Sequence, residues 1–290
     1  MLFGSDGQVG WELQRSLAPL GDVKCFGKDF PLRIDFQQTT ELKAAVTRYM
    51  PDVIVNAAAF TNVEAAESAR DAAFAINATA PGELANLAAS MGACFVHYST
   101  DYVFNGQGHV PWSEQDITDP LNIYGSSKLE GEYLIQQAKG QHLILRTSWV
   151  HSPRGNNFVR TMLELSQSRK TLPVVSDQIG APTSAELLAD LTAYALRAIA
   201  SKPELSGIYH VTNSGETSWF GYAQFIFELL RLKIPDVELA RLTSVSTADY
   251  AQKARRPLNS RLSTRKFQTA FDIVLPSWQQ SVTRTLNETF

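Results

Sequence analysis

The chain has 290 residues, enough for one or two domains and for burial of roughly three quarters of its unfolded surface. With 26 Lys and Arg against 29 Asp and Glu the net charge is −3, so there is no global basic field, and neither nucleic acid nor an anionic membrane is an expected partner. Cys25 and Cys94 are too few for a disulfide framework, no apolar run approaches a membrane span, and Met1-Leu-Phe-Gly4 does not open a signal peptide, which together predict a soluble, reduced, cytoplasmic protein.

Up to about residue 150, short apolar segments alternate with helical periodicity, the pattern of a parallel sheet covered by helices on both faces. The fold class is therefore α/β, a Rossmann-like doubly wound parallel sheet. Strands are predicted at 2–3, 23–26, 52–58, 93–98 and 142–146, with helices at 8–19, 39–50, 68–91 and 122–138. Beyond Trp149 the rhythm loosens into a helix at 156–169, a proline-containing segment at 171–183, a helix at 184–200, a strand at 208–211 and a helix from Thr217. This divides the chain into a dinucleotide-binding domain, 1–150, and a smaller, mainly substrate-binding α/β lobe, 151–290. Chain returns between the lobes are expected, because 105–122 and 243–263 are too long for simple connections.

The first strand ends in Gly4-Ser-Asp-Gly7-Gln-Val-Gly10, which leads into an amphipathic helix. This spacing suits a dinucleotide: glycine makes the tight turn, the pyrophosphate approaches bare N–H groups at the helix start, and the last glycine lets helix and strand pack closely. Only three residues precede Gly4 where a strand averages about five, so a clipped first strand is expected. The second strand runs into Gly27 and Lys28 rather than the acid that selects NAD. Lys28 can then neutralise the 2′-phosphate of NADP, or serve as a solvated loop lysine.

Tyr124 and Lys128 lie four residues apart, on one face of the helix opening near Asn122. A phenol with an ordinary pKa of about 10 needs a fixed cation to exchange protons near neutrality, and Lys128 supplies one. The pair gains weight from Tyr98-Ser-Thr100-Asp101, which follows an apolar strand and so places hydroxyls at the carboxyl edge of the sheet, where such folds bind ligands. After the third strand, the small residues from Asn56 to Ala59 let a flat cofactor lie against the sheet.

These motifs resemble the extended short-chain dehydrogenase/reductases and, more closely, their dTDP-4-dehydrorhamnose reductase branch. The branch-specific stretches are Arg146-Thr-Ser-Trp-Val150, Gly155-Asn-Asn-Phe158, Asp177-Gln-Ile-Gly-Ala-Pro-Thr183 and Arg255-Arg-Pro-Leu-Asn-Ser-Arg-Leu262. The resemblance implies NAD(P)H-dependent reduction of the C4 keto group of dTDP-4-dehydro-L-rhamnose, the last step of dTDP-rhamnose biosynthesis for cell-surface polysaccharide. It implies cofactor contacts at Gly4, Gly7, Gln8, Val9, Gly10, Lys28, Asp35, Phe36, Ala59, Phe60, Thr61 and Tyr98, with Tyr124 and Lys128 shared between cofactor and chemistry. Thr100 joins that pair as catalytic, and Thr100, Asp101 and Trp149 touch the substrate. NADPH is the implied cofactor, with NADH an admissible second, and a homodimer the implied assembly. Glu12, Glu186 and Glu288 stand where some family members hold Mg2+ between subunits, although each also reads as a solvated helix residue. The sequence departs from the family at Gly27, where an acid is common, and at Glu64, where aspartate is usual.

Dehydratases and epimerases share the glycine turn and the Tyr-Lys pair, but loss of water needs an Asp-Glu pair beside the threonine, and here Tyr102 follows Asp101. A non-catalytic nucleotide-binding regulatory subunit, the remaining alternative, would have no use for Thr100, Tyr124 and Lys128 together. His97 and His151 read as structural, since no second ligand lies at metal spacing. Arg255 and Arg256 suit either the substrate diphosphate or a salt bridge.

Overall fold

The computed structural model describes residues 1–28, 31–234 and 236–289. Its main sheet has six parallel strands: β1 (Leu2–Phe3), β2 (Cys25–Phe26), β3 (Val53–Asn56), β4 (Cys94–Thr100), β5 (His142–Thr147) and β6 (Gly207–His210). Their spatial order is β6-β5-β4-β3-β1-β2. Successive side chains on a strand point to opposite faces, and each face has its own core. Leu2, Val55, Val96 and Leu145 enter one of them, whereas Phe3, Ile54, Phe95 and Ile144 enter the other. Burial on both faces explains why the strands read as almost unbroken apolar runs.

Helices α1 (Gln8–Leu17) and α5 (Ala185–Ser201) cover the first face through Leu13, Leu17, Leu188 and Ile199. On the second face lie α2 (Thr39–Tyr49), α3 (Ala80–Met91) and α4 (Ile123–Gln137), through Leu42, Leu84 and Ile135. From β1 the chain goes to β2 on one side and then to β3 on the other. That reversal opens a crevice at the carboxyl ends of β1 and β3, where open sheets of this kind bind ligands.

The helix expected at 68–91 is interrupted: Arg70–Phe74 is followed by a π-helical turn, Ala75–Thr79, before α3 begins. Pro81 has no N–H to give to the Asn77 carbonyl, and Ala80 instead donates its N–H five residues back, to Ala75. Such π turns often mark functional positions.

The second half of the chain does not stay in its own lobe. β6 extends the main sheet beside β5, and α5 packs on α1. The rest builds a third core from Val159, Tyr222, Phe227, Trp278 and Leu286, carried partly by α6 (Trp219–Lys233) and α7 (Trp278–Thr289). The two long loops meet: Trp112 and Arg261 pair through their backbones at 2.9 Å, as do Gly106 and Asn259 at 3.0 Å. Cys94 is buried and Cys25 half-buried, both as free thiols. Among the described residues no helix is long and apolar enough to cross a membrane.

Candidate active site

At the crevice the backbone comes too close for side chains. Gly4 has φ +78°, and a Cβ there would lie 2.5 Å from the Ala58 nitrogen. A Cβ on Gly10 would run into the Gly4 carbonyl oxygen. Gly7 precedes α1 without any side-chain cap, so the first-turn N–H groups of Gln8 and Val9 suit a diphosphate at the positive end of the helix dipole. This bare cradle fits a dinucleotide. The Gln8 side chain is engaged elsewhere: its Oε1 accepts from Ser152 Oγ at 3.1 Å and Asn157 Nδ2 at 2.8 Å. Those bonds tie the loop before Phe158 to the glycine turn, where the Arg154 guanidinium also covers the Trp11 ring at 4.1 Å.

Lys28 is exposed, and its backbone N–H donates to Asp6 Oδ2 at 2.8 Å. Asp35 is also exposed and accepts the Gln37 N–H at 2.9 Å, while the Phe36 ring is buried, edge-on to Phe3 at 5.6 Å. Half-buried Ala59 and Phe60, followed by exposed Thr61, lie beyond the end of β3. Asn77, inside the π turn, clamps this loop. It accepts the Phe60 N–H at 2.8 Å and donates to the Phe60 carbonyl at 3.1 Å and to Ser127 Oγ of α4 at 3.0 Å.

Helix α4 carries Tyr124 and Lys128, and it starts cleanly because the Asn122 side chain accepts the Gly125 N–H at 2.8 Å. Burial pushes the Tyr124 phenol up to about 12, with the Thr100 hydroxyl beside it pulling the other way. The Tyr124 ring meets Tyr102 edge-on at 5.7 Å. Burial pushes the Lys128 amine down to about 7, against the opposing pull of Glu132. Lys128 Nζ lies 2.5 Å from the Tyr98 carbonyl and 2.9 Å from His97 Nε2. The Tyr98 ring points elsewhere, its hydroxyl 2.6 Å from Thr192 on α5, so Tyr98 reaches Lys128 through its backbone. Thr100 donates to Asp101 Oδ1 at 3.1 Å, and burial raises the Asp101 carboxyl to about 7 despite the hydroxyls of Ser260 and Thr100.

Trp149 follows β5 with φ +48°, a left-handed backbone that bulky residues rarely adopt and that tends to persist at ligand sites. Its ring stacks on Trp219 with centroids 3.7 Å apart, and Trp219 Nε1 donates to Gln178 Oε1 at 3.1 Å. Glu64 accepts the backbone N–H groups of Lys253 and Ala254 at 2.8 and 3.0 Å and pairs with Arg256 at 3.2 Å. Arg256 is thus a salt-bridge partner, whereas Arg255 is exposed and accepts from Asn122 through its carbonyl. The 253–262 segment is thereby drawn against the catalytic helix.

Glu12, Glu186 and Glu288 converge closely enough that the latter two help raise Glu12, behind burial and against Arg15. Their oxygens are already taken by arginines: Arg284 lies 2.6 Å from Glu186 and 3.2 Å from Glu288, and Arg15 lies 3.9 Å from Glu12. Among the described residues no group of three His, Cys, Asp or Glu is set to hold a metal ion, so this donor set does not fit magnesium.

Sequence patterns did not single out Asn77, Trp219 or Gln178, and they gave His97 a purely structural part. Each acts through a partner distant in the chain, and no local spacing announces it.

A glycine cradle at the switch point, with a buried Thr-Tyr-Lys set at the same sheet edge, defines a dinucleotide-dependent reductase of the short-chain dehydrogenase/reductase class. The RmlD substrate binding domain family matches residues 1–290. The chain is 50% identical over 291 residues to dTDP-4-dehydrorhamnose reductase of Escherichia coli K12, with 100% of this chain and 97% of that protein aligned. Its Salmonella typhimurium counterpart is 50% identical over 293 residues, with the same coverage. The crystal structure of dTDP-4-dehydrorhamnose reductase from Bacillus anthracis in complex with NADP superposes with a TM-score of 0.88 at 34% identity, covering 99% of this chain and 98% of that one. The chain belongs to the dTDP-4-dehydrorhamnose reductase family.

Proposed function

We propose that the protein reduces the C4 carbonyl of dTDP-4-dehydro-L-rhamnose to give dTDP-L-rhamnose, closing dTDP-rhamnose synthesis in the cytoplasm. The observation that carries this is the buried Thr100, Tyr124 and Lys128 set at the sheet edge beside the glycine cradle, in a chain alignable end to end with reductases of that name. NADPH is the favoured cofactor, because Lys28 and Gly27 present charge and space to a 2′-phosphate; NADH is the second choice. When bound, the nicotinamide supplies the hydride.

The chain's own residues do the rest. The N–H groups of Gln8 and Val9 receive the diphosphate, Gly4, Gly7 and Gly10 let it approach, and Asp35, Phe36 and the Ala59–Phe60–Thr61 loop border the nucleoside. Tyr98 contributes its carbonyl, which fixes Lys128. Thr100 hydrogen-bonds the sugar oxygen, and Tyr124 passes its phenolic proton to that oxygen as negative charge grows there. Asp101 and Trp149 hold the sugar, the indole packing on the C–H face of the ring. No nucleic acid or membrane enters this scheme, and two copies of the chain form the working assembly.

Tyr124→Phe removes only the proton donor. Turnover of NADPH with dTDP-4-dehydro-L-rhamnose should fall on the order of 100- to 10,000-fold while both ligands still bind. Near-normal turnover in that variant would remove Tyr124 from the chemistry.

A further inference from the structure

Asn56, His97 and Lys128 form a buried file of hydrogen bonds from β3 across β4 to α4, and one end of it has a fixed direction. Asn56 Oδ1 accepts the backbone N–H of Ala58 at 3.0 Å, and a backbone N–H can only donate. The amide nitrogen is therefore the atom facing His97 Nδ1, 3.1 Å away, and it donates. A ring nitrogen that accepts carries no hydrogen, so neutral His97 holds its single N–H at Nε2. Nε2 lies 2.9 Å from Lys128 Nζ. For that contact to be a bond, Nζ must offer a lone pair to Nε2–H while giving one of its own hydrogens to the Tyr98 carbonyl at 2.5 Å. An ammonium has no lone pair, and two donors at this distance repel.

We propose that His97, locked in its Nε2–H tautomer by Asn56, is a positioning residue that docks Lys128 as a neutral amine, and that Lys128 becomes an ammonium only on leaving His97.

The surroundings agree with this. Asn56 and Lys128 are each 1% exposed and His97 is fully buried, so water cannot relieve a clash of donors. Burial disfavours the charged forms of both His97 and Lys128. The charges facing Lys128 are few. Glu132, one turn along α4, is committed to Arg146 of β5 at 2.6 Å, β4 brings His97, β3 brings the uncharged Asn56, and the π turn brings Asn77, also uncharged. The proton balance is simple: an amine that leaves the dock takes one proton from solvent, and ketone reduction by hydride consumes one. This role deepens the reductase reading and rests on it for its use in turnover, but the dock itself can be observed without turnover.

The test is nuclear magnetic resonance of the full chain, labelled at histidine and lysine, without ligand. His97 should show a bare Nδ1 and a protonated Nε2, and Lys128 should titrate near neutrality. Asn56→Asp replaces the donor by an acceptor of the same shape, which draws the hydrogen to Nδ1 and leaves Nε2 to accept from an ammonium. The Lys128 midpoint should then rise by about one pH unit or more. His97→Gln, which can present a carbonyl oxygen to Nζ, should raise it too, and serves if Asn56→Asp does not fold. The same upward shift should appear in the pH profile of kcat/KM. A protonated Nδ1 in the wild-type protein, or a Lys128 midpoint unmoved in the folded variants, overturns the proposal. A wild-type protein that shows the dock but fails to reduce the sugar nucleotide would count against the substrate alone.

Discussion

Asp101 shows how burial alone can set the character of a side chain. Its carboxyl is 2% exposed and raised to about 7, so near neutral pH a good part of it is the neutral acid, able to donate a hydrogen bond to a sugar oxygen. The same shift affects stability. Between its ordinary value and about 7, the folded chain holds a proton that the unfolded chain has lost, so stability falls as pH rises through that window. Asp101→Asn cannot ionise. The Tm difference between about pH 4 and pH 7 should therefore be smaller in Asp101→Asn than in the wild type, by thermal melts in matched buffers. Equal differences would mean that Asp101 ionises in the fold as it does in water. Trp149, at φ +48°, shows strain rather than burial. Its backbone is held by what packs on the ring, and Trp219 is the largest part of that.

Helix α4 brings phenol and amine to the sheet edge, and its attachment relies on one ion pair. Glu132 receives two bonds from Arg146, at 2.6 and 2.9 Å, and one from Ser99 Oγ at 2.5 Å. The two charged side chains are 1% and 4% exposed. A pair this deep adds little over an apolar pair of the same volume, but losing one member strands the other charge in a dry interior. Glu132→Ala should lower stability by about 3–5 kcal/mol in urea unfolding, whereas Glu132→Leu combined with Arg146→Met should recover most of that loss. If the single and double variants unfold alike, the pair does not hold the helix. The π turn at Ala75–Thr79 serves the opposite side of α4: through Asn77 it fixes both the loop after β3 and Ser127, so cofactor loop and catalytic helix share one support.

Across the whole molecule, what the sequence made legible is whatever repeats locally. Two-residue alternation and helical spacing located five of the six strands in the sheet's first half and the helices between them, and glycine spacing located the cradle. The Tyr-Lys pair lay on one helix face because four residues make about one turn. Contacts between distant segments were not legible. Nothing around Glu64 announces that it holds Lys253, Ala254 and Arg256. Nothing around His97 announces Asn56 on one side of its ring and Lys128 on the other. The break at Pro81 was written in the sequence, since proline cannot donate, yet the apolar periodicity through 68–91 concealed it. The joining of β6 to the sheet depended on a chain return whose partner strand only the fold could specify.

The central claim is a reaction, and product configuration tests it most directly. Purified protein given NADPH and dTDP-4-dehydro-L-rhamnose should consume one reduced cofactor per sugar and yield dTDP-L-rhamnose, identified by the configuration at C4 in the proton spectrum of the product. The C4 epimer, or a substrate left unreduced while NADPH persists, would contradict it.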